Sequence, residues 1–189
     1  IKAGKSNPEI NFYLGTAYLQ SKDYKNSIIY LEKCLKYQTS NPMVFNNLGI
    51  AFKEIGNLEE ASIYFNTAIK LKKNFAQAYN NQGIVLRNLN NYKESLEFLK
   101  KAIKLNPKYP EAFNNIGNTL NDLGDRKRAI DNYKKAIELN PNYIDAYLNI
   151  GTEYMELGYY DAAKKNFLKI REIDNNFNFL DGKLLNLSM

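Results

Sequence analysis

Pairs of asparagines recur in this sequence, and their side chains supply hydrogen-bonding groups rather than catalytic ones. The pairs lie in the stretches "VFNNLGIAFKEIGN", "AYNNQGIVLRNLN" and "AFNNIGNTLNDLGD", each time two residues before a glycine. A carboxamide has two N–H donors and an acceptor oxygen, so one asparagine can bond both the N–H and the C=O of a peptide. The pairs are therefore candidates for binding an extended polypeptide through its backbone.

Few other residues in the chain are suited to chemistry. The 189 residues contain no histidine and one cysteine, Cys34. These two facts remove the commonest general base and metal ligand, and they exclude an internal disulfide. Catalytic options shrink to carboxylates, lysine, tyrosine, serine, threonine and that one thiol. We predict no metal site, no cofactor, no catalytic residue and no enzymatic activity. No targeting segment and no apolar run long enough to span a membrane is visible, so we expect a cytoplasmic protein.

A period of 34 residues organises the sequence. Its clearest column consists of glycines, namely Gly15, Gly49, Gly83, Gly117 and Gly151. A second column is aromatic or aliphatic, namely Leu31, Phe65, Leu99, Tyr133 and Phe167, and a third holds small residues, namely Ser27, Ala61, Ser95, Ala129 and Ala163. Such a period indicates a repeat architecture in which stacked units bury one another's apolar faces. We predict five repeats: 8–41, 42–75, 76–109, 110–143 and 144–177.

Each repeat is predicted to form two helices. The first helix begins at an Asn-Pro or Tyr-Pro pair in three repeats, after Asn7, Asn41 and Tyr109. Proline suits the first helical position, and asparagine can cap it. The helix is predicted to end near a glycine suited to a left-handed C-cap, in the column of Gly56, Gly124 and Gly158. The second helix carries apolar residues at helical spacing and stops before Asn106 or Asn140.

Together these columns resemble the tetratricopeptide repeat (TPR) family over residues 8–177. The resemblance implies an all-α, right-handed superhelical solenoid of antiparallel helix pairs, with the first helices lining a concave groove and the second helices forming the convex wall. Residues 1–7 fall in the columns that end a preceding repeat, so we expect a remnant of such a repeat there. Residues 178–189 are expected to form a C-terminal capping helix, because exposed array ends need one.

The paired asparagines occupy two adjacent columns of the first helix. Seven of the ten positions are asparagine, whereas the whole chain has 28 asparagines among 189 residues; the seven are Asn46, Asn47, Asn80, Asn81, Asn114, Asn115 and Asn149. Asparagine costs up to about 0.7 kcal/mol relative to alanine within a helix, so a role that requires it is expected. Neighbouring helices pack roughly 8–10 Å apart, close to three residues of extended chain. One asparagine per repeat could thus bond such a chain at regular intervals.

This arrangement is similar to the asparagine ladder in the TPR domain of O-linked N-acetylglucosamine transferases. The resemblance rests on Asn47, Asn81, Asn115 and Asn149 and implies peptide binding in the groove. The candidate peptide-binding set adds the first asparagine of each pair and neighbouring groove residues, namely Asn46, Asn80, Asn114, Asn118, Ile50, Ile84 and Arg87. An alternative stays open and is compatible with the ladder: the asparagines bond one another between adjacent helices as a structural seam.

The charges predict which ligand the groove prefers. The first helices carry Lys53 and Arg87 against seven carboxylates, although the net charge of the chain is +6. An acidic groove disfavours nucleic acid, which requires a basic one. We therefore expect an extended protein or peptide segment that is neutral to basic, with no nucleic acid in the groove. The basic excess lies on the second helices and loops. We expect these lysines and arginines either to face solvent or to contact an acidic surface of another molecule.

These observations predict a noncatalytic scaffold or adaptor for protein–protein interaction that binds an extended segment in its groove. Two alternatives belong to other classes. The chain could be the substrate-recruiting TPR arm of a larger enzyme such as a glycosyltransferase, or a self-association module that forms homo-oligomers through its array ends.

Overall fold

The structure is a computed structural model that describes residues 7–37 and 40–175. The predictions for the N-terminal remnant, apart from Asn7, and for the capping helix at 178–189 lie outside the described residues. Within those residues every regular element is an α-helix, which confirms the all-α prediction. The chain divides into two compact units, Ile1–Leu105 and Asn106–Met189.

The first unit contains three helix pairs within its described residues. These are α1 (Pro8–Gln20) with α2 (Tyr24–Leu35), α3 (Pro42–Glu54) with α4 (Leu58–Leu71), and α5 (Ala76–Asn88) with α6 (Tyr92–Leu105). In the second unit, the described residues form α7 (Pro110–Asp122) with α8 (Arg126–Leu139), and α9 (Ile144–Glu156) with α10 (Tyr160–Ile173). Within each unit the partners of a pair pack together, and a second helix also packs against the first helix that follows it.

The helix ends follow the predicted signals. The Oδ1 atoms of Asn7 and Asn41 accept hydrogen bonds from the backbone N–H of Glu9 and Met43, at 2.8 and 3.0 Å. Each cap thus satisfies one of the N–H groups that a helix start leaves without an intrahelical partner. Helices α6 and α8 end at Leu105 and Leu139, directly before the predicted Asn-Pro stops.

The turn between the two helices of each repeat contains one residue in the left-handed region. Gly56, Gly124 and Gly158 have φ values of 85°, 79° and 79°, as expected for C-cap glycines. The same column continues at Lys22 and Asn90, whose φ values are 62° and 61°. These two residues adopt the same backbone conformation with a Cβ that glycine lacks, so they carry a strain that the glycines avoid.

The glycine column exists because the two helices of a pair touch at that point. A Cβ on Gly49 would lie 2.7 Å from the Phe65 ring, and one on Gly117 would overlap the Tyr133 ring. Any larger residue would therefore push the helices of that repeat apart. In the first repeat the buried Ser27 hydroxyl also donates to the Gly15 carbonyl at 2.8 Å, which ties the helices together through the backbone.

Cys34 is a packing residue. Its side chain is 1% exposed and belongs to a buried cluster with Leu31, Val44 and Leu48. The thiol donates to the backbone carbonyl of Pro8, with the sulfur 3.3 Å from that oxygen, and therefore fastens α2 to the start of α1. Burial raises the pKa of the Cys34 thiol above its usual value, so the thiolate that reactivity requires is disfavoured.

Candidate functional site

The asparagine pairs lie in the middle of the first helices, but the two members of a pair differ in exposure. Asn46, on α3, is fully buried at 0% exposure, whereas the following Asn47 is 6% exposed. On α7, Asn114 is buried, whereas Asn115 is only half buried. The first asparagine of these pairs thus lies within the helix packing and the second lies nearer the surface.

In the first unit the second asparagines bond to the preceding first helix. The side-chain nitrogen of Asn81 on α5 donates to Oδ1 of Asn46 on α3, at 3.1 Å. The side-chain nitrogen of Asn47 on α3 donates to the hydroxyl of Thr16 on α1, at 3.1 Å. Carboxamides therefore connect α1, α3 and α5.

The same pattern occurs in the second unit. The side-chain nitrogen of Asn149 on α9 donates to Oδ1 of Asn114 and to Oδ1 of Asn118 on α7, each at 3.0 Å. The Oδ1 of Asn118 also accepts from the Tyr133 hydroxyl on α8, at 2.9 Å. We call this set of bonds, Asn47–Thr16, Asn81–Asn46 and Asn149–Asn114, the asparagine seam. The bonds between asparagines named above as an alternative thus exist at two of the four predicted rungs, Asn81 and Asn149, and at a third, Asn47, the acceptor is the Thr16 hydroxyl.

The donor asparagines of the seam keep their side-chain oxygens available as hydrogen-bond acceptors. Among the described residues, the Oδ1 atoms of Asn47, Asn81 and Asn149 have no hydrogen-bond partner, and none of the three is a fully buried unsatisfied atom. The Nδ2 atoms of Asn47 and Asn81 each use one N–H in the seam and keep the second. Three carbonyl oxygens thus remain as acceptors at matching positions of α3, α5 and α9, on side chains whose orientation the seam fixes.

Other predicted site residues lie on α3 and α5, the helices that carry Asn47 and Asn81. Ile50 and Ile84 are half buried, one turn from the asparagines of their own helices, and they provide apolar surface. Asn80 is 4% exposed. Arg87 is half buried near the end of α5 and carries the positive charge of that helix. Asn115, Asn80 and Arg87 all interact with other residues.

Thr16 is the seam residue that the sequence reasoning missed. It stands in the column of Ile50, Ile84 and Asn118, which lies one helical turn after the two asparagine columns. The signal available in the sequence was therefore a hydroxyl group in this column. The column is polar at Thr16 and Asn118, which accept hydrogen bonds from Asn47 and Asn149, and apolar at the two isoleucines.

The predicted acidity of the first helices is concentrated in the second unit. Helices α7 and α9 carry no lysine or arginine and five carboxylates, of which four are exposed or half buried: Glu111, Asp122, Asp145 and Glu156. Near their starts, burial and the charge of Glu111 raise the pKa of the Tyr109 hydroxyl to about 12. Burial, with Asp145 and Glu111 adding to it, also raises the pKa of Tyr143. Both tyrosines are therefore neutral, and the local charge is that of the carboxylates.

The fifth carboxylate of this set, Glu153, is buried on α9 at 3% exposure. Its Oε2 has no hydrogen-bond partner and lies 3.8 Å from Nε of Arg126, whose Nη2 contacts Glu156 at 2.8 Å. Burial raises the pKa of Glu153, and the Glu156 charge adds to the rise, while Arg126 and a hydrogen bond with Asn121 oppose it. Arg126 thus compensates part of the negative charge of α9.

Comparison with known protein families decides the classification. One tetratricopeptide repeat profile matches residues 8–41, 44–75 and 144–177, which is more than half of the chain. Further TPR profiles match residues 76–109, 98–131 and 117–158. The chain belongs to the tetratricopeptide repeat family. TPR proteins typically mediate protein–protein interactions, and this membership supports such a role here; the asparagine ladder itself is not tested by it.

Solved structures of TPR proteins are similar to this one. MamA is 28% identical with a TM-score of 0.71, and the match covers 86% of this chain and 95% of MamA. A thermophilic TPR protein of Thermus thermophilus is 19% identical, with a TM-score of 0.81 and coverage of 96% and 99%. PilW, a type IV pilus biogenesis factor, is 21% identical, with a TM-score of 0.84 and coverage of 96% and 86%. The last two show similarity of fold alone.

No curated protein sequence matches the chain significantly. Across residues 7–37 and 40–175, no helix combines the length and the apolar character that a membrane crossing requires. The same ranges contain no cluster of cysteine and carboxylate side chains that could hold a metal ion.

Proposed function

We propose that this TPR chain is a noncatalytic scaffold or adaptor that binds an extended segment of a partner protein along its first helices. We define the first-helix face as the exposed side of α1, α3 and α5 in the first unit and of α7 and α9 in the second. The ligand backbone bonds to the carboxamides of Asn47 and Asn81 in one unit, and of Asn115 and Asn149 in the other.

One observation carries this proposal: the asparagine seam uses the side-chain nitrogens of Asn47, Asn81 and Asn149 and leaves their oxygens without a hydrogen-bond partner among the described residues. A side chain with a fixed orientation loses little conformational freedom when it binds a ligand. The seam therefore supports the ladder, since it holds the acceptor oxygens in place for peptide N–H groups. The buried Asn46 and Asn114 serve this function indirectly, because they accept the bonds that orient Asn81 and Asn149.

Backbone recognition also agrees with the neighbouring residues. Ile50 and Ile84 offer apolar contacts next to the carboxamides, and Asn118 is fixed between Asn149 and Tyr133. The carboxylates of α7 and α9 favour a neutral to basic segment over an acidic one or a nucleic acid. The recruiting arm of a larger enzyme, homo-oligomerisation through array ends, and cytoplasmic location stay predictions.

The experiment compares peptide binding by the chain and by an Asn81→Ala, Asn149→Ala variant. Peptides are first selected from a random library on the unaltered chain and are then measured individually by fluorescence anisotropy. Each lost hydrogen bond contributes roughly 0.5–1.5 kcal/mol, so we expect affinity to fall on the order of tenfold per rung.

The matched control is Asn88→Ala, which removes an exposed asparagine from the last turn of α5, away from the seam. We expect this variant to bind the selected peptides like the unaltered chain. Circular dichroism must show that all the variants are folded. Equal affinity of the folded double variant and the control would exclude the carboxamides as ligand-binding groups.

A further inference from the structure

The inference concerns a surface on the second helices and does not depend on the proposed peptide site. In the first two repeats an aromatic residue of the first helix is stacked on one of the second helix. Tyr18 and Tyr30 have ring centroids 5.4 Å apart and an interplanar angle of 16°. Phe52 and Tyr64 occupy the same two columns, at 5.3 Å and 18°. The second-helix ring thus covers the first-helix ring.

The fifth repeat has the first ring of this pair without the second. Tyr154 stands in the column of Tyr18 and Phe52, whereas Asn166 replaces the aromatic residue of the second helix. The Asn166 side chain donates to the Ala162 carbonyl of its own helix at 2.8 Å. It therefore bonds to α10 and does not supply the ring that is missing above Tyr154.

An open groove of about 730 Å³ lies where the missing ring would stand, between α8, α9 and α10. Tyr147, Ile150 and Tyr154 of α9 line it together with Ile137 of α8 and Asn166 of α10. Its volume falls within the range of roughly 300–1,000 Å³ found for ligand pockets, which are mostly apolar with a few polar groups. The ring contact of Tyr154 with Tyr159 is edge-on, at 6.2 Å and 80°, rather than stacked.

Lysines give the rim of this groove its charge. Lys134 and Lys165 line it and form no ion pair with any described residue. The two rim carboxylates are already bound, since Lys135 contacts Glu138 and Lys169 contacts Glu172, each at 2.7 Å. The rim therefore presents two exposed cations that are not paired with a described carboxylate, beside an aromatic floor.

We propose that this groove, between α8 and α10, binds an aromatic side chain carried by an acidic segment of a partner protein. The ligand ring lies on Tyr154 in the place that Tyr30 and Tyr64 take in the first two repeats. Carboxylates next to it in the ligand sequence bind Lys134 and Lys165. The aromatic floor disfavours a purely ionic ligand, and the two unpaired lysines disfavour a basic one.

The test uses a blocked pentapeptide, Asp-Glu-Phe-Asp-Glu, and its counterpart with alanine in place of phenylalanine. Each is titrated into the isotope-labelled chain while amide NMR signals are recorded. We expect the phenylalanine peptide to shift signals around Tyr154, Lys165 and Asn166 in a saturable way, and the alanine peptide to bind more weakly by about tenfold or more.

Two variants locate the binding. Asn166→Tyr restores the aromatic pair of the first two repeats, so we expect it to fill the groove and abolish peptide binding without lowering the melting temperature. The exposed pair Lys134→Glu and Lys165→Glu keeps the groove but reverses its charge, and we expect a loss of affinity of about tenfold or more.

Three outcomes would overturn the proposal: no saturable shift with the phenylalanine peptide, equal shifts with both peptides, or binding that persists in the folded Asn166→Tyr variant. Shifts at the groove that depend on the concentration of the chain alone would show that a second copy, not an acidic segment, occupies it. Asn81→Ala serves as the control from the first-helix face and is expected to bind this peptide like the unaltered chain. The groove and the peptide site on the first-helix face are therefore tested independently.

Discussion

The side-chain nitrogen of Asn81 donates a 3.1 Å hydrogen bond to the side-chain oxygen of Asn46, 35 residues earlier, within the helix packing. This bond joins equivalent helices of adjacent repeats through two neighbouring columns of the period. It also explains why asparagine persists in a helix interior despite its low propensity.

Our first prediction is that Asn81 and Asn46 are energetically coupled. Alanine at position 81 leaves the buried Asn46 oxygen unpaired, and we expect the free energy of unfolding to fall by about 1 kcal/mol. A double-mutant cycle with Asn46→Ala, followed by urea denaturation, should give a coupling of roughly 0.5–1.5 kcal/mol. Additive effects of the two changes would show that the bond contributes nothing to stability.

The second prediction concerns the helix contact at Gly117. Alanine is the better helix former by about 1 kcal/mol, yet a Cβ at this position would overlap the Tyr133 ring. We therefore expect Gly117→Ala to destabilise the protein by about 1–3 kcal/mol in thermal unfolding. Adding Tyr133→Val makes room for the methyl group, so the double variant should be more stable than the sum of the single changes indicates.

The third prediction concerns the turn residues whose backbone adopts the left-handed conformation. Lys22→Gly relieves the strain of a side chain at φ 62°. We expect it to stabilise the protein by about 0.5–1 kcal/mol, because the relief of roughly 1–2 kcal/mol exceeds the added entropy of the unfolded chain. The gain should be smaller for Asn90→Gly, since asparagine tolerates this conformation and Asn90 accepts a bond from the Tyr92 hydroxyl. Thermal unfolding measures each change.

The reciprocal change, Gly56→Ala, should lower the stability of the protein. A gain in stability from that change would contradict the explanation.

The fourth prediction is a pH dependence that arises from Glu153. Its pKa is raised in the folded protein, so the folded state holds this proton more tightly than the unfolded state does. The resulting stabilisation is fully present below the unfolded pKa, near 4.5, and is lost as the pH rises through the folded pKa. At pH 7 the ionised form of Glu153 therefore lowers the stability of the folded state.

We accordingly expect Glu153→Gln to raise the free energy of unfolding by about 1 kcal/mol at pH 7, because it removes a buried charge that Arg126 only partly compensates. The advantage should diminish as the pH falls towards and below the unfolded pKa, where both proteins are neutral at this position. Melting curves of the two proteins from about pH 4 to 8 measure the difference, with exposed Glu138→Gln as the control. A constant difference across this range would mean that titration of Glu153 is not its cause.

The repeats could be predicted from the sequence because the constraints that produce them recur at fixed spacing. Gly49 and Gly117 must be small where helices touch, and Asn41 followed by proline marks a helix start; both effects act locally. The left-handed conformation of Lys22 was not predicted, since nothing about lysine favours it, although its place in the column of Gly56 was the available signal.

The chemistry of the candidate site was predictable only in part. The columns identified Asn81 and Asn149 as special, but the direction of a carboxamide depends on neighbours that lie 31 or 35 residues away. The groove above Tyr154 was harder still, because it results from Asn166 in a column that is aromatic only in the first three repeats. Periodicity makes shared features visible and conceals single departures from them.

The burial of Cys34 has a practical consequence. Because the chain has no other thiol, alkylation reports local openings that expose this sulfur, such as a separation of α1 from α2 that releases it from the Pro8 carbonyl. When reclosure outpaces labelling, the rate of alkylation at a given pH reports the equilibrium of that local opening. The unmodified protein thus contains its own probe for fraying at the first repeat.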